Sequence, residues 1–264
     1  MKKQVTYPME AFALAMIIFS RTMKEAMIVG ICIVFANLMM YFIRDLFHLK
    51  EKLGAVMIGT VPALIAFGIM LSQTGMISIT KDRFFDRENL FVIAAAVCIV
   101  IMLIKHHACD ESAEIDYNEV LFCDAWAYGT YVLFAILRQY LTDGTLYTLK
   151  ITQENVLFSG AYAKTAFGLI GAGIILAIFN AATRSRSGST SALWVCIPAI
   201  ALEVPFVLKN VPEVLGLVLG CVIVAAAYLV LRLKLKYSDT SSTTAGLPIE
   251  MILLGMVCMI ATVL

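Results

Sequence analysis

Nine apolar segments follow one another along the chain, at residues 9–20, 26–43, 53–76, 89–104, 119–137, 160–181, 191–208, 212–231 and 247–264, with short polar stretches between them. A soluble fold of 264 residues has no core large enough to bury them all. The composition agrees, at 61% hydrophobic and 15% charged residues. A soluble domain has about 45–50% and about 25%. The chain therefore reads as a polytopic membrane protein. Each span must satisfy its own backbone hydrogen bonds, which makes helices the default. No stretch alternates apolar and polar residues as the strands of a membrane barrel do, so a barrel is excluded. The expected fold class is an all-α polytopic membrane protein with about 8–9 transmembrane or half-membrane helices.

Several segments are irregular. A full span takes about 20 residues, with a range of about 17–25. The first segment is shorter than this, and the fourth falls just under it. Pro62 interrupts the third, and Pro198 and Pro205 break up the seventh. Short or proline-interrupted segments mark the half-helices of inverted-repeat membrane proteins. The N-terminal MKKQVTYPMEAFALAMIIFS has no small-residue cleavage site, and Arg21 and Lys24 follow it, so it reads as the first membrane element. Small residues at helix-packing spacing recur in GLIGAGIILA, from Gly168 to Ala177. With the N-terminus inside, 11 basic residues fall on the inner side and 9 on the other, a slight bias. RSRSGSTS and SDTSSTT read as linkers. The first divides the chain into residues 1–183 and 184–264.

A net charge of +1 makes no electrostatic case for nucleic acid. Seven cysteines occur, with no CxxC pair and no zinc-ligand spacing. Cys98, in AAAVCIVIMLI, and Cys196, in LWVCIP, sit in apolar runs, where a thiol taken alone is a small apolar filler. Charge is costly in lipid, so Glu10, Asp124, Glu203 and Glu250 are candidates for function. Glu10 and Glu250 stand near segment starts, where they can face headgroups. Glu203 lies in the broken seventh segment, and a carboxylate there could bind a cation. Asp124 lies near the start of the fifth span, and with Glu203 it forms the candidate ion path. KHHACDE, from Lys105 to Glu111, carries two histidines, a cysteine and two acids. Adjacent histidines point to different helix faces, so a polar juxtamembrane stretch is the simpler reading than a metal site. No phosphate-binding loop or dinucleotide fingerprint occurs.

Residues 16–180 resemble the Rnf/Nqr integral membrane subunits of the RnfE/NqrD type. The stretch that carries this best is LRQYLTDGTLYTL, Leu137 to Leu149. Arg138 at a helix end and the turn Gly144-Thr145-Leu146 match the family there. By position, Arg138 would anchor its helix end at the interface, and Asp143-Gly144 would make the turn. KEAMIVGICIVFANLMMYFIRDLF and FGLIGAGIILAIFNA resemble the family's second and last helices. Residues 190–264 resemble the second half of the sister subunit, the RnfA/NqrE type, through LRLKLKYSDTSSTTAGLPIEMILLGMVCMIA.

The resemblance implies inverted helix repeats and a membrane subunit of an ion-translocating electron-transport complex. Electrons would cross the membrane, coupled to Na⁺ or H⁺ movement, in a bacterial cytoplasmic (inner) membrane. Such a subunit of an ion-translocating oxidoreductase works with other membrane subunits and has no flavin or nicotinamide domain of its own. In the family a [2Fe–2S] cluster is held by cysteines of both subunits. The later cysteine motifs fall on Val97-Cys98 and Val195-Cys196. The early Cys-Pro motif falls near Leu14-Ala15, where both key residues are absent. Cys98 and Cys196 are thus the implied cofactor and metal ligands, with the remaining thiolates coming from a partner chain. The alternative is a non-redox transporter, or a structural subunit, on the same helical frame.

Overall fold

The structure, a computed structural model, describes residues 7–46, 52–77, 86–109, 116–146, 149–150, 159–183, 191–203, 213–234 and 242–261. Among them are nine α-helices: α1 (Met9–Ile18), α2 (Met23–Leu46), α3 (Lys52–Gln73), α4 (Arg87–Cys109), α5 (Tyr117–Asp143), α6 (Thr165–Thr183), α7 (Ala192–Glu203), α8 (Glu213–Lys234) and α9 (Ser242–Ala261). Each apolar segment of the sequence becomes one helix. A single 3-10 turn, Gly160–Ala163, precedes α6, and two-residue strands β1 (Thr145–Leu146) and β2 (Leu149–Lys150) pair antiparallel.

Four helices, α2, α4, α5 and α6, are long and apolar enough to cross a bilayer. Their outward faces carry large apolar side chains, such as Phe35 and Phe42 on α2, Ile101 on α4, and Phe122 and Leu133 on α5. An apolar surface of this extent suits a hydrocarbon solvent and not water. The chain is an all-α protein built as helical membrane proteins are.

Three sequence expectations about individual spans need correction. The fourth segment looked short because Arg87 and Glu88 precede it and Lys105, His106 and His107 follow it; the helix continues through both flanks and is 23 residues long. Pro62 does not interrupt α3, which runs through it. A proline removes one hydrogen bond of the ladder, and the rest of a long helix can carry that loss. Likewise α7 runs through Pro198 and reaches Glu203. Pro205 lies outside the described residues, as do positions 184–190 and 238–241 of the two linkers.

Helix α1 organises the centre. Its sequence, MEAFALAMII, is apolar all round, and such a helix is stable only when enclosed. All ten of its residues are buried. It spans about 15 Å at 1.5 Å per residue, half of a hydrocarbon core about 30 Å thick. Around it pack α2, α4, α5, α6 and α7. Helix α7, only 12 residues long, runs beside it in the same direction. Lys105 reaches the starts of both helices: Nζ donates to Glu10 at 2.7 Å and lies 4.8 Å from the Trp194 ring centroid. At the other end Arg21, just past α1, pairs with Glu203, the last residue of α7.

Helix α9 lies along α6, and small residues set that closeness. A Cβ built on Gly173 would stand 2.8 Å from the Pro248 carbonyl oxygen and 2.7 Å from Ile252 Cγ1. Gly173→Leu should therefore separate α6 from α9 and destabilise the protein by about 1–3 kcal/mol or more, the usual cost of overpacking. A thermal melt in detergent checks this, and an unchanged midpoint would mean that the two helices slide apart freely.

Candidate functional site

The two ends of the central helices hold two separate polar sites. They lie about 20 Å apart along α5, at a rise of 1.5 Å per residue.

The first site surrounds the C-terminus of α1. A helix end leaves carbonyl groups without intrahelical partners, and inside a membrane protein water does not reach them. Arg138, on α5, supplies the donors. Its Nη1 donates to the Ile17 carbonyl at 2.8 Å, to the Met16 carbonyl at 3.4 Å and to Ser20 Oγ at 2.7 Å. Its Nε donates to the Tyr162 carbonyl at 2.9 Å, and Nη2 to those of Ala163 and Lys164 at 2.8 and 3.1 Å. The Tyr131 hydroxyl adds bonds to the Ala15 and Phe19 carbonyls at 3.3 and 3.1 Å. Arg138 is 0% exposed. It does not anchor a helix end at the interface, as its position near the end of a span suggested. It ties α1, α5 and the turn before α6 into one unit.

Glu203 completes this end. Its Oε2 accepts from Arg21 and from Thr165 Oγ1, the latter at 3.0 Å. Its Oε1 is buried with no hydrogen-bond partner among the described residues. The carboxylate predicted from the broken seventh segment thus closes the gap between two short helices. The turn expected at Asp143-Gly144 is present: Gly144 ends α5 in the left-handed conformation, φ 64°, where glycine has no Cβ penalty.

The second site lies at the opposite end. Asp124, two turns into α5, is fully buried. Asn37 Nδ2 of α2 donates to Asp124 Oδ2 at 2.7 Å. The Asn37 side-chain oxygen stands 2.9 Å from His107 Nε2 of α4. An amide oxygen can only accept, so His107 carries a hydrogen on Nε2. Asp124 Oδ1 has no partner among the described residues. His107 packs edge-on against Tyr41, whose hydroxyl is 3.3 Å from His106 Nε2. The two adjacent histidines therefore both belong to a packed polar group and not to a solvated stretch.

Glu10 and Glu250, placed by sequence at the headgroups, are inside the protein. Glu10 sits against Lys105. Glu250 Oε2 accepts from the backbone N–H of Ala192 at 3.2 Å, at the start of α7, where the helix dipole favours a negative charge. The direction of α7 made this cap necessary, and nothing in the sequence near Glu250 announces it.

Cys196, on α7, is fully buried, and Cys98, on α4, is partly buried. The two helices that carry them pack on each other. A [2Fe–2S] cluster takes four thiolates. Among the described residues no group of three or more His, Cys, Asp or Glu could hold a metal ion. Two thiols are half of the donor set, so the residues of this chain alone do not fit the cluster.

Sequence reasoning assigned no functional role to Asn37, and it assigned other roles to Lys105 and His107, read as a polar juxtamembrane stretch, and to Arg138, read as an interfacial anchor. A basic or amide group inside an apolar run was the available signal for Asn37 alone. Comparison with family models, with curated proteins and with solved structures finds no match to this chain.

Proposed function

We propose that this chain is an ion-translocating membrane subunit on an Rnf/Nqr-like helical frame, moving Na⁺ or H⁺ past its two central short helices. The observation that carries this is α1. A ten-residue helix enclosed on all sides ends inside the protein, where side chains of α5 bond its last carbonyls. Irregular backbone is tolerated there only when buried in protein or lining a cavity, and broken helices are the usual frame of ion and substrate sites. Carboxylates stand at both ends of the pair α1 and α7, with Arg21 and Glu203 joining them across one end. Separation of that ion pair would open the gap between the two helix ends.

Proteoliposomes holding the chain, with the membrane subunits that co-purify with it, should take up Na⁺ or H⁺. Glu203→Gln should slow uptake about tenfold or more, as about 1.4 kcal/mol on a barrier does. Wild-type vesicles that move neither ion would overturn the reading. A bacterial inner membrane is the natural setting.

Electron transfer is the second reading, favoured by Cys98 and Cys196 lying on packed helices. In it, a partner chain supplies the other two thiolates of a shared [2Fe–2S] cluster, and uptake demands an electron donor. Anaerobic co-purification should then yield iron and acid-labile sulfide that Cys98→Ser or Cys196→Ser removes. Uptake without any donor would leave the plain transporter.

A further inference from the structure

We propose that Asp124 is a proton-binding site, taking up a proton at Oδ1 while Asn37 holds its other oxygen and links it to His107. The inference deepens the ion-translocation reading and rests on it for its role in transport, though the site itself can be tested without transport.

Four observations carry it. Asp124 is 0% exposed, on a helix long enough to cross the membrane. Its Oδ2 is taken by Asn37 Nδ2, while Oδ1 meets no donor among the described residues. No lysine or arginine forms an ion pair with it among those residues. The structure already spends its Asn37 side-chain oxygen on His107.

A buried carboxylate with one bare oxygen is costly, and the larger part of that cost, the buried charge, is removed if that oxygen carries a hydrogen. The Asn37 bond survives this change, because Oδ2 accepts from Nδ2 in either state. A hard metal cation asks for more. It collects several oxygen ligands, and the side-chain oxygen of Asn37, the residue that bonds Asp124, is already an acceptor for His107. A proton needs only one lone pair, and Oδ1 has no partner on either of its two among the described residues.

The step is a plain acid–base exchange. Hydronium from the aqueous side nearest the end of α4 gives its proton to Oδ1, an O–H bond forms, and water remains. Release to water on the other side restores the carboxylate. Asp124 lies about 10 Å along α5 from Tyr117, at 1.5 Å per residue, so it is set in from that aqueous side. His107, two residues from the end of α4, is nearer to it.

The other titratable groups that the surrounding helices bring to this end are few. Helix α2 offers Tyr41, with Arg44 and Asp45 a turn further out; α4 offers His106 and His107. Helix α1 offers Glu10, held by Lys105, and Tyr7 before it donates to Asn180 Oδ1 at 2.8 Å. On α5 itself are Cys123, Glu119, Tyr128 one turn on, and Tyr117, whose hydroxyl donates to Asp45 at 3.2 Å. Of these, His107 alone reaches the carboxyl through a single bridging group.

Infrared difference spectroscopy of the full chain in lipid, stepped in pH, tests this. The C=O stretch of a buried carboxylic acid should appear as pH falls. Asp124→Asn should abolish it, and Asp124→Glu should shift its frequency while keeping the fold. Asn37→Ala removes a hydrogen bond that favours the ionised form, so the midpoint should rise by about one pH unit or more. In vesicles, Asp124→Asn should end H⁺ uptake read by an internal pH dye.

If the acid band is absent at every pH, or is unchanged in Asp124→Asn, the proton site is wrong, even where the vesicles move Na⁺. If the band titrates and depends on Asp124 but no ion moves, the proton site stands and the transport reading falls.

Discussion

Arg138→Met should be the most damaging single substitution in this protein. The guanidinium serves five backbone carbonyls and the Ser20 hydroxyl; the acceptors on Met16, Ile17 and Ser20 are buried, and those on Tyr162, Ala163 and Lys164 are partly buried. Methionine fills the volume and offers no donor. Each buried acceptor left alone costs about 1–3 kcal/mol, so even partial rearrangement leaves a loss above about 4 kcal/mol. For a chain of this size that corresponds to a melting midpoint about 10 °C or more lower. Arg138→Lys should fall between, since an ammonium has three donors where the guanidinium has five in a fixed fork. A second readout separates local from global failure. In Arg138→Met the end of α1 should loosen, so a cysteine placed at Ala15, now 0% exposed, becomes reactive to a maleimide. A melt and a labelling rate equal to wild type would show that the carbonyls of α1 find other donors.

Lys105→Met should come next. It leaves Glu10, whose side chain is 6% exposed, as a buried charge without its partner, and it removes the cation resting on Trp194. Breaking a buried pair from one side costs about 3–5 kcal/mol. The lysine side chain is 24% exposed, which places the expected loss at the lower end, about 3 kcal/mol. The reverse substitution, Glu10→Gln, should cost less. The remaining lysine is long and partly exposed, so it can bring its charge to water. The double variant Glu10→Gln with Lys105→Met should recover a good part of the single-lysine loss, because no unpaired charge then remains. Strict additivity in a double-mutant cycle would show that the two groups do not act as a pair.

The helical frame was legible in the sequence because it follows from solvent. A run of apolar residues in lipid has to close its own backbone hydrogen bonds, so each of the nine segments becomes a helix whatever it packs against. The ends were less legible. The fourth segment seemed too short because its flanking residues are polar, yet Arg87, Glu88 and His107 are all helical. Polarity marks where a helix leaves the hydrocarbon, not where it stops. The turn at Gly144 was readable, since only a residue without a Cβ settles easily at φ 64°.

The candidate site divides along the same line. Asp124 and Glu203 stood out because a carboxylate in an apolar run is expensive, a cost that local composition reveals. Their partners did not stand out. Arg138 looked like an interfacial anchor, and becomes the cap of α1 only because α5 passes the end of a helix over a hundred positions earlier. Asn37 bonds Asp124 from α2 and links it to His107 on α4, and Glu250 caps α7 from α9. Hydropathy is a property of each segment and can be read one segment at a time. Which donor meets which acceptor depends on the helices' order, direction and rotation about one another. Those are set by packing around α1, and no local stretch of residues carries them.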